Sequence, residues 1–165
     1  MINLLPIENL IYKTRLSKSE VLNKLIENIE KQKTFGFGTD WRVYSKPYIG
    51  EIENNSFEVK RAINYRNSFL PKISGEVFED FEGTKIKIKM RPHEIIIAFL
   101  FLWFGIAFLC CLGSIYAMFT RDFNLVFLGP FFMILFGIVL LSVGFKTETN
   151  KSKQDFKKIL NAEII

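Results

Sequence analysis

The sequence predicts an α+β fold: a small antiparallel sheet with one amphipathic helix, followed by a two-helix transmembrane hairpin and a short C-terminal helix. Two observations support this prediction. The segments Ile95–Phe119 and Leu125–Phe145 contain no charged side chain. As helices they would span roughly 37 Å and 31 Å, against a hydrocarbon core of about 30 Å. Before them, several short runs alternate apolar and polar side chains with period two, which is typical of strands.

The chain of 165 residues therefore divides into three parts. Residues 1–92 form the α+β domain, which is too short for a large catalytic domain with a deep cleft. Residues 93–145 form the hairpin, with spans at about 95–119 and 125–145. Residues 146–165 form an amphipathic tail. The five residues between the spans are too few for anything except antiparallel neighbours.

The first elements of the domain are a strand and a helix. Asn9–Arg15 is rich in strand-forming residues. Ser17 is placed as a helix N-cap, with Glu20 completing a capping box. The helix that follows, about Lys18–Lys31, carries one apolar stripe. The Gly36-Phe37-Gly38 segment indicates a flexible turn, because a phosphate-binding loop would need a strand before the glycines and a helix after them.

Two antiparallel hairpins follow. Ile49–Glu53 and Ser56–Ile63 flank Asn54-Asn55, a pair that tolerates the backbone of a tight turn. Lys72–Glu79 and Lys85–Met90 form the second hairpin, and the latter strand alternates strictly. In the tail, apolar residues recur at helical spacing after a linker: Phe156, Ile159, Leu160 and Ile164. This stripe could lie among lipid headgroups, but docking on the apolar face of the sheet is favoured.

The orientation of the hairpin follows from its flanking charges, because basic residues concentrate on the cytoplasmic side of spans. Lysines and arginines crowd the sequence before the first span and after the second, whereas the Thr120–Asn124 connection holds Arg121 alone. We therefore expect a multi-pass protein of the cell (plasma or inner) membrane with both termini in the cytoplasm.

Three sets of residues are candidates for binding or packing. Lys85, Lys87, Lys89 and Arg91 lie just before the first span, where they would bind anionic lipid headgroups or simply fix the topology. Arg66 and Asn67 lie between aromatic residues in a strand connection, where they would contact a ligand or partner, or satisfy the turn itself. Small residues in the spans would allow close helix packing within the hairpin or with another copy or membrane protein: Ala107, Cys111, Ser114, Gly137 and Gly144.

Other classes of function have little support in the sequence. The net charge of +5 is spread among interleaved acids and bases, so we expect no nucleic-acid partner. His93 is the only histidine, and Cys110 and Cys111 are adjacent within a span. We therefore expect no catalytic residue, no metal ligand and no cofactor. The bilayer is the expected partner, with anionic lipid and a homo-oligomer or a membrane protein as further ones.

The run from Arg61 to Pro71, continued by Gly75, Gly83-Thr84 and Arg91-Pro92-His93, resembles a bacterial family of small membrane proteins. The resemblance implies a cytoplasmic α+β domain followed by two C-terminal spans, and it assigns no role to particular residues. The leading hypothesis is a non-enzymatic module that binds a protein, peptide or lipid headgroup at the membrane. The alternatives are an accessory subunit of a membrane complex and, third, an enzyme acting on a membrane-bound substrate.

Overall fold

A computed structural model describes residues 7–31, 44–120 and 124–165. The turn predicted at Gly36 and Gly38 and the centre of the predicted loop between the spans lie outside these residues. The described elements are β1 (Glu8–Thr14), α1 (Lys18–Asn28), β2 (Ile29–Lys31), β3 (Tyr48–Glu53), β4 (Ser56–Arg61), β5 (Lys72–Asp80), β6 (Gly83–Arg91), α2 (Glu94–Thr120), a 3-10 turn (Leu125–Leu128), α3 (Gly129–Ile159) and β7 (Glu163–Ile164). The predicted α+β fold, a sheet domain followed by a helical hairpin, is confirmed.

The strands form one seven-stranded sheet in the order β2-β3-β4-β5-β6-β1-β7. The β2–β3 pair is parallel, and the other described pairs are antiparallel. Strand β1, near the N-terminus, lies between β6 and the C-terminal strand β7. Strands β1 and β7 therefore belong to the same sheet and lie on the same side of the helical hairpin.

Both predicted hairpins are present. The first turns at Asn54, whose φ of 51° is in the left-handed region that asparagine tolerates. The second turns before Gly83, whose φ of 129° requires glycine. In β6, Ile86, Ile88 and Met90 are buried and the lysines occupy the opposite face, as the alternation predicts. Strand β6 ends immediately before Pro92, which cannot donate a ladder hydrogen bond.

Helix α1 begins with the predicted capping box: the Ser17 side chain accepts from the Glu20 amide, and Glu20 accepts from the Ser17 amide. The helix ends at Asn28, three residues earlier than predicted. Ile29 is extended and lies opposite Tyr48 in the parallel ladder. It remains buried there, so pairing with β3 keeps the apolar contact and also satisfies backbone groups.

The hydrophobic core lies on one face of the sheet, beneath α1 and the C-terminal part of α3. Val21 and Leu25 contribute from α1. From α3, the Phe156 ring packs with its centroid 4.9 Å from that of Tyr48 and 5.9 Å from that of Phe57. The tail therefore docks on the sheet, the alternative that the apolar face of the sheet favoured.

The tail differs from prediction in one respect: it is not a linker followed by a separate short helix. Helix α3 runs without interruption from Gly129 to Ile159, so the second apolar segment and the tail form one helix. No proline follows Pro130 within it, and no glycine follows Gly144. A helix of 31 residues is roughly 46 Å long, well beyond a hydrocarbon core of about 30 Å. The C-terminal part of α3, beyond the thickness of the hydrocarbon core, packs in the α+β domain.

Two helical segments, Glu94–Thr120 and Leu125–Ile159, are long and apolar enough to cross a membrane. They are joined as antiparallel neighbours, and most of their apolar surface contacts no described part of the chain. Phe101 is 84% exposed and Phe119 is 87% exposed. Soluble monomers rarely expose continuous apolar surface of this extent.

The small residues predicted to pack the spans fall into two groups. Ala107 and Cys111 are buried, and Ser114 is partly buried. A Cβ on Gly137 would lie 3.0 Å from the Phe104 ring of α2, so this glycine permits close approach within the hairpin. Gly144 differs from the prediction, because its neighbour is not the other span.

A Cβ on Gly144 would lie 2.9 Å from the side chain of Phe69, in the connection between β4 and β5. This glycine therefore brings α3 against the α+β domain. The sequence alone could not distinguish the two roles, because a small residue permits close approach by any neighbour.

Candidate functional site

A buried carboxylate lies where α3 leaves its apolar segment. Glu148, three residues beyond Phe145, is 2% exposed. Its Oε1 accepts hydrogen bonds from the Tyr65 hydroxyl and, at 2.8 Å, from Lys151 Nζ. Its Oε2 accepts from Arg61 Nη1 at 3.4 Å. We call Arg61, Tyr65, Glu148 and Lys151 the junction cluster, because it joins α3 to the end of β4 and the connection that follows.

Local structure explains how these groups meet. Lys151 is one helical turn beyond Glu148, so both side chains lie on the same side of α3. Arg61 is the last residue of β4 and Tyr65 follows four positions later. The cluster therefore combines a local helical pair with contacts between residues 83 and 87 positions apart.

Arg61 also connects the cluster to a second carboxylate on α3. Its Nη2 lies 3.1 Å from Asp155 Oδ2, and the same oxygen accepts a hydrogen bond from the Tyr48 hydroxyl at 3.4 Å. Burial raises the pKa of the Tyr48 hydroxyl, and the charge of Asp155 raises it further. Tyr48 therefore stays protonated and remains a donor at neutral pH.

The cluster is held in one protonation state at neutral pH. Burial raises the pKa of Glu148, but hydrogen bonds from Lys151 and Tyr65 and the charges of Lys151 and Arg61 outweigh it, so the pKa lies below its ordinary value. The hydrogen bond to Glu148 raises the pKa of Lys151. Burial and the same carboxylate raise the pKa of Tyr65. Glu148 is therefore ionised while Lys151 is charged and Tyr65 is neutral.

This arrangement is suited to holding elements together. Each Glu148 oxygen is already engaged by side chains of the protein, and the carboxylate is enclosed. Among residues 7–31, 44–120 and 124–165, no group of three His, Cys, Asp or Glu side chains could hold a metal ion. The junction cluster therefore has the geometry of a structural joint between the membrane-length helix and the domain.

The opposite face of the sheet is covered by no described helix. It forms a trough with a volume of about 780 Å³. Acidic side chains from β3, β4 and β5 line one part of it, and Lys87 and Lys89 of β6 line another. The acidic residues are Glu51, Glu53, Glu58 and Glu76. A surface with both signs of charge arranged in separate zones can orient a polar ligand.

The four basic residues predicted to bind lipid all lie in β6, and the three lysines point to this uncovered face. Lys85 Nζ is 3.1 Å from Asp80 Oδ2. Lys87 Nζ lies 4.9 Å from the centroid of the Phe78 ring. Arg91 Nη2 is 3.1 Å from Glu94 Oε1. Lys89 makes no ion pair with any described residue. Lipid binding by this set stays a prediction, and the geometry distinguishes its members.

The structure separates the two residues predicted as a ligand contact. Asn67 is used internally: its Nδ2 donates to the Gly144 carbonyl at 3.1 Å, and its Oδ1 accepts from the Phe69 amide at 2.9 Å. The expectation that this segment satisfies its own backbone therefore describes Asn67. Arg66 is exposed and makes no described hydrogen bond or ion pair.

The junction cluster was not predicted from the sequence. A usable signal was present on α3, where residues at spacings of three and four continue from Phe145 through Glu148, Ser152 and Phe156. All four are buried. That pattern predicts an uninterrupted helix and an inward-facing Glu148. The identity of its partners, in contrast, depends on the fold.

Comparisons with protein-family models, with curated proteins and with solved structures gave no match. The function is therefore inferred from the geometry of this chain.

Proposed function

We propose that this chain is a two-span integral membrane protein of the cell (plasma or inner) membrane with both termini in the cytoplasm. Its α+β domain would act as a non-enzymatic binding module for a protein, peptide or lipid headgroup at the membrane surface. The observation that carries this proposal is the continuity of α3, which is exposed and apolar in its first half and buried in the core of the domain in its second.

Three features support the membrane assignment. The exposed apolar surface of the hairpin needs a non-aqueous solvent. The pairing of β1 with both β6 and β7 supports placing the two termini on one side. The basic residues adjoining the apolar segments lie on that same side, which favours the cytoplasm.

Binding is favoured over catalysis because of the way the ionisable groups are distributed. The buried carboxylate of Glu148 has its hydrogen bonds satisfied within the protein. The open trough on the uncovered face of β3 to β6 presents acidic side chains on β3, β4 and β5 and lysines on β6. Because α3 and the short Pro92-His93 connection both fix the sheet to the hairpin, the trough would be held at a constant height above the bilayer.

Cysteine labelling in intact cells tests this proposal. In a background with Cys110→Ser and Cys111→Ser, the Asn124→Cys variant should react with a membrane-impermeant maleimide added outside. The Lys85→Cys variant, on the sheet, should react only after the membrane is permeabilised. Labelling of position 85 in intact cells with protection of position 124 would reverse the topology.

A second candidate function is an accessory subunit of a membrane complex. It is favoured by Gly105 and Gly113 of α2, because a Cβ on either would have no described atom within 4 Å. Such positions allow close approach by another helix. The two proposals differ in the mass of the detergent-solubilised particle: isolation of the monomer alone counts against the subunit.

A further inference from the structure

The strand register places three basic side chains in one row across the uncovered face. Lys72 of β5 lies opposite Lys60 of β4 on one side and opposite Arg91 of β6 on the other. Directly opposite residues share a face, and neighbouring strands are about 4.8 Å apart. The row therefore extends roughly 10 Å across the sheet. Val59, Ile73 and Met90, their neighbours along the strands, point to the buried face.

Lys60 lies close to the level at which α3 leaves its apolar segment. The adjacent Arg61 contacts Glu148, which is three residues, or roughly 4.5 Å of helix, beyond Phe145. The headgroup and interfacial layer occupies roughly 5–8 Å on each side of the hydrocarbon core. The end of β4 therefore lies at the depth of this layer.

The other two members of the row lie at the same end of the sheet. Lys72 follows Phe69 by three residues, and Phe69 packs against Gly144 at the end of the apolar segment. Arg91 precedes Glu94, the first residue of α2, by three. Three separate contacts along the chain thus place the Lys60–Lys72–Arg91 row at the strand ends nearest the apolar helices.

The remaining lysines of β6 lie farther along the strand, away from the apolar helices. Lys85 is six residues before Arg91, or roughly 20 Å along an extended strand, and it pairs with Asp80. At the same end, Thr14 is opposite Thr84, and its hydroxyl bonds to the Leu160 carbonyl near the far end of α3. At physiological ionic strength, charges are screened beyond about 8 Å. Lys85 and Lys87 therefore share the face of the row but lie farther from the apolar helices.

The row retains capacity for an anion. Lys60 makes no ion pair with any described residue. Lys72 pairs with Glu58 at 2.7 Å and Arg91 pairs with Glu94 at 3.1 Å, but both carboxylates are more than half exposed. Exposed pairs of this kind are weak. Adjacent like charges in a sheet also repel, so an anion bound between them would relieve that repulsion.

We infer that the Lys60–Lys72–Arg91 row binds the anionic phospholipid headgroups of the leaflet on which the domain sits. This inference deepens the proposed membrane function and rests on it. The charge of the row, its depth and its width of roughly 10 Å all match a layer of lipid phosphates. Binding of an acidic peptide would not require the row to lie at the end of the sheet nearest the apolar helices.

The test uses the full chain in non-ionic detergent micelles containing equal amounts of phosphatidylcholine and phosphatidylglycerol, with bound lipids counted by native mass spectrometry. The wild-type protein should retain phosphatidylglycerol in preference. Each lysine near an anionic surface contributes a factor of about five. The Lys60→Gln/Lys72→Gln variant should therefore lower the preference about tenfold, since Lys72 is partly neutralised already.

A matched control removes the same charge from the same face. Lys13 and Lys85 are also opposite each other in neighbouring strands, at the far end of the sheet. The Lys13→Gln/Lys85→Gln variant should keep the wild-type preference. A second variant changes the result in the opposite direction: Glu58→Gln/Glu94→Gln frees the row and should raise the preference, an effect that misfolding cannot produce.

Several outcomes would overturn the inference. They are equal retention of both lipids by the wild-type protein, equal losses in the near and far lysine variants, and competition by inorganic phosphate or an acidic peptide that removes the lipid preference at low concentration. These outcomes leave the proposed function intact, because the protein still requires micelles. A wild-type protein that is monodisperse in buffer without amphiphile would instead contradict the proposed function itself.

Discussion

Replacing Glu148 with alanine is expected to lower the free energy of unfolding of the domain by about 1.5–3 kcal/mol, the usual effect of losing hydrogen bonds to a charged group. The change leaves the Arg61 guanidinium, the Lys151 ammonium and the Tyr65 hydroxyl without the carboxylate that they share. Urea unfolding in detergent micelles, followed by far-UV circular dichroism, measures the change in the free energy of unfolding.

The control is an exposed ion pair between β6 and α2. Glu94 pairs with Arg91 and is well exposed. Because exposed pairs contribute about 0–1 kcal/mol, the Glu94→Ala variant should unfold close to the wild-type midpoint. Equal losses in Glu148→Ala and Glu94→Ala would contradict the view that burial makes the junction cluster important.

The pH dependence follows from the lowered pKa of Glu148. The unfolded chain binds this proton more readily than the folded protein, so stability falls as the proton concentration rises. The stabilisation is complete above the ordinary carboxyl pKa of about 4.3, and it is lost as the pH falls through the lower folded value. In the Glu148→Gln variant this part of the acid dependence should disappear.

Replacing Phe156 with alanine is the second large expected effect, a loss of about 3–5 kcal/mol of domain stability. Phe156 is 1% exposed and packs against the rings of Tyr48 and Phe57. Removing the ring leaves a cavity between α3 and the sheet. The same urea titration should show a lower midpoint, accompanied by loss of protection of the tail against protease.

Phe81 provides the matched control, because it is the same residue type at the tip of the β5–β6 hairpin and is 108% exposed. Surface substitutions of this kind usually change stability by less than about 0.5 kcal/mol. If Phe156→Ala behaved like Phe81→Ala, the tail would not be part of the core, and the domain would be stable without α3.

Local sequence signals determined the elements that could be predicted. Period-two alternation identified β6 and its buried face, and the Ser17–Glu20 pair identified the start of α1. The turn at Asn54 was identified by a residue that tolerates positive φ. The apolar helices were identified by length and lack of charge. Each of these signals depends on neighbours in sequence.

The missed features depend on contacts between distant residues. Strand β2 consists of three residues and exists because Ile29 pairs with Tyr48. The charged residues after Phe145 suggested a linker, because the sheet that buries the inward face of α3 is not visible in a local window. For the residues predicted to bind lipid, the alternation in β6 identified the face of the sheet on which its lysines lie. Only the cross-strand register shows that Lys60 and Lys72 lie beside Arg91 at one end of the sheet.

A distance within α3 tests whether one rigid helix is both a membrane span and part of the domain core. Val139 and Lys157 are both exposed, and they are 18 residues apart, which is five full turns. Spin labels at these positions, in a background with Cys110→Ser and Cys111→Ser, should give a narrow distribution of label-to-label distances in lipid nanodiscs. Its centre should be at roughly 27 Å. A broad distribution, or one centred at a clearly different distance, would show a break between span and tail and would contradict the account.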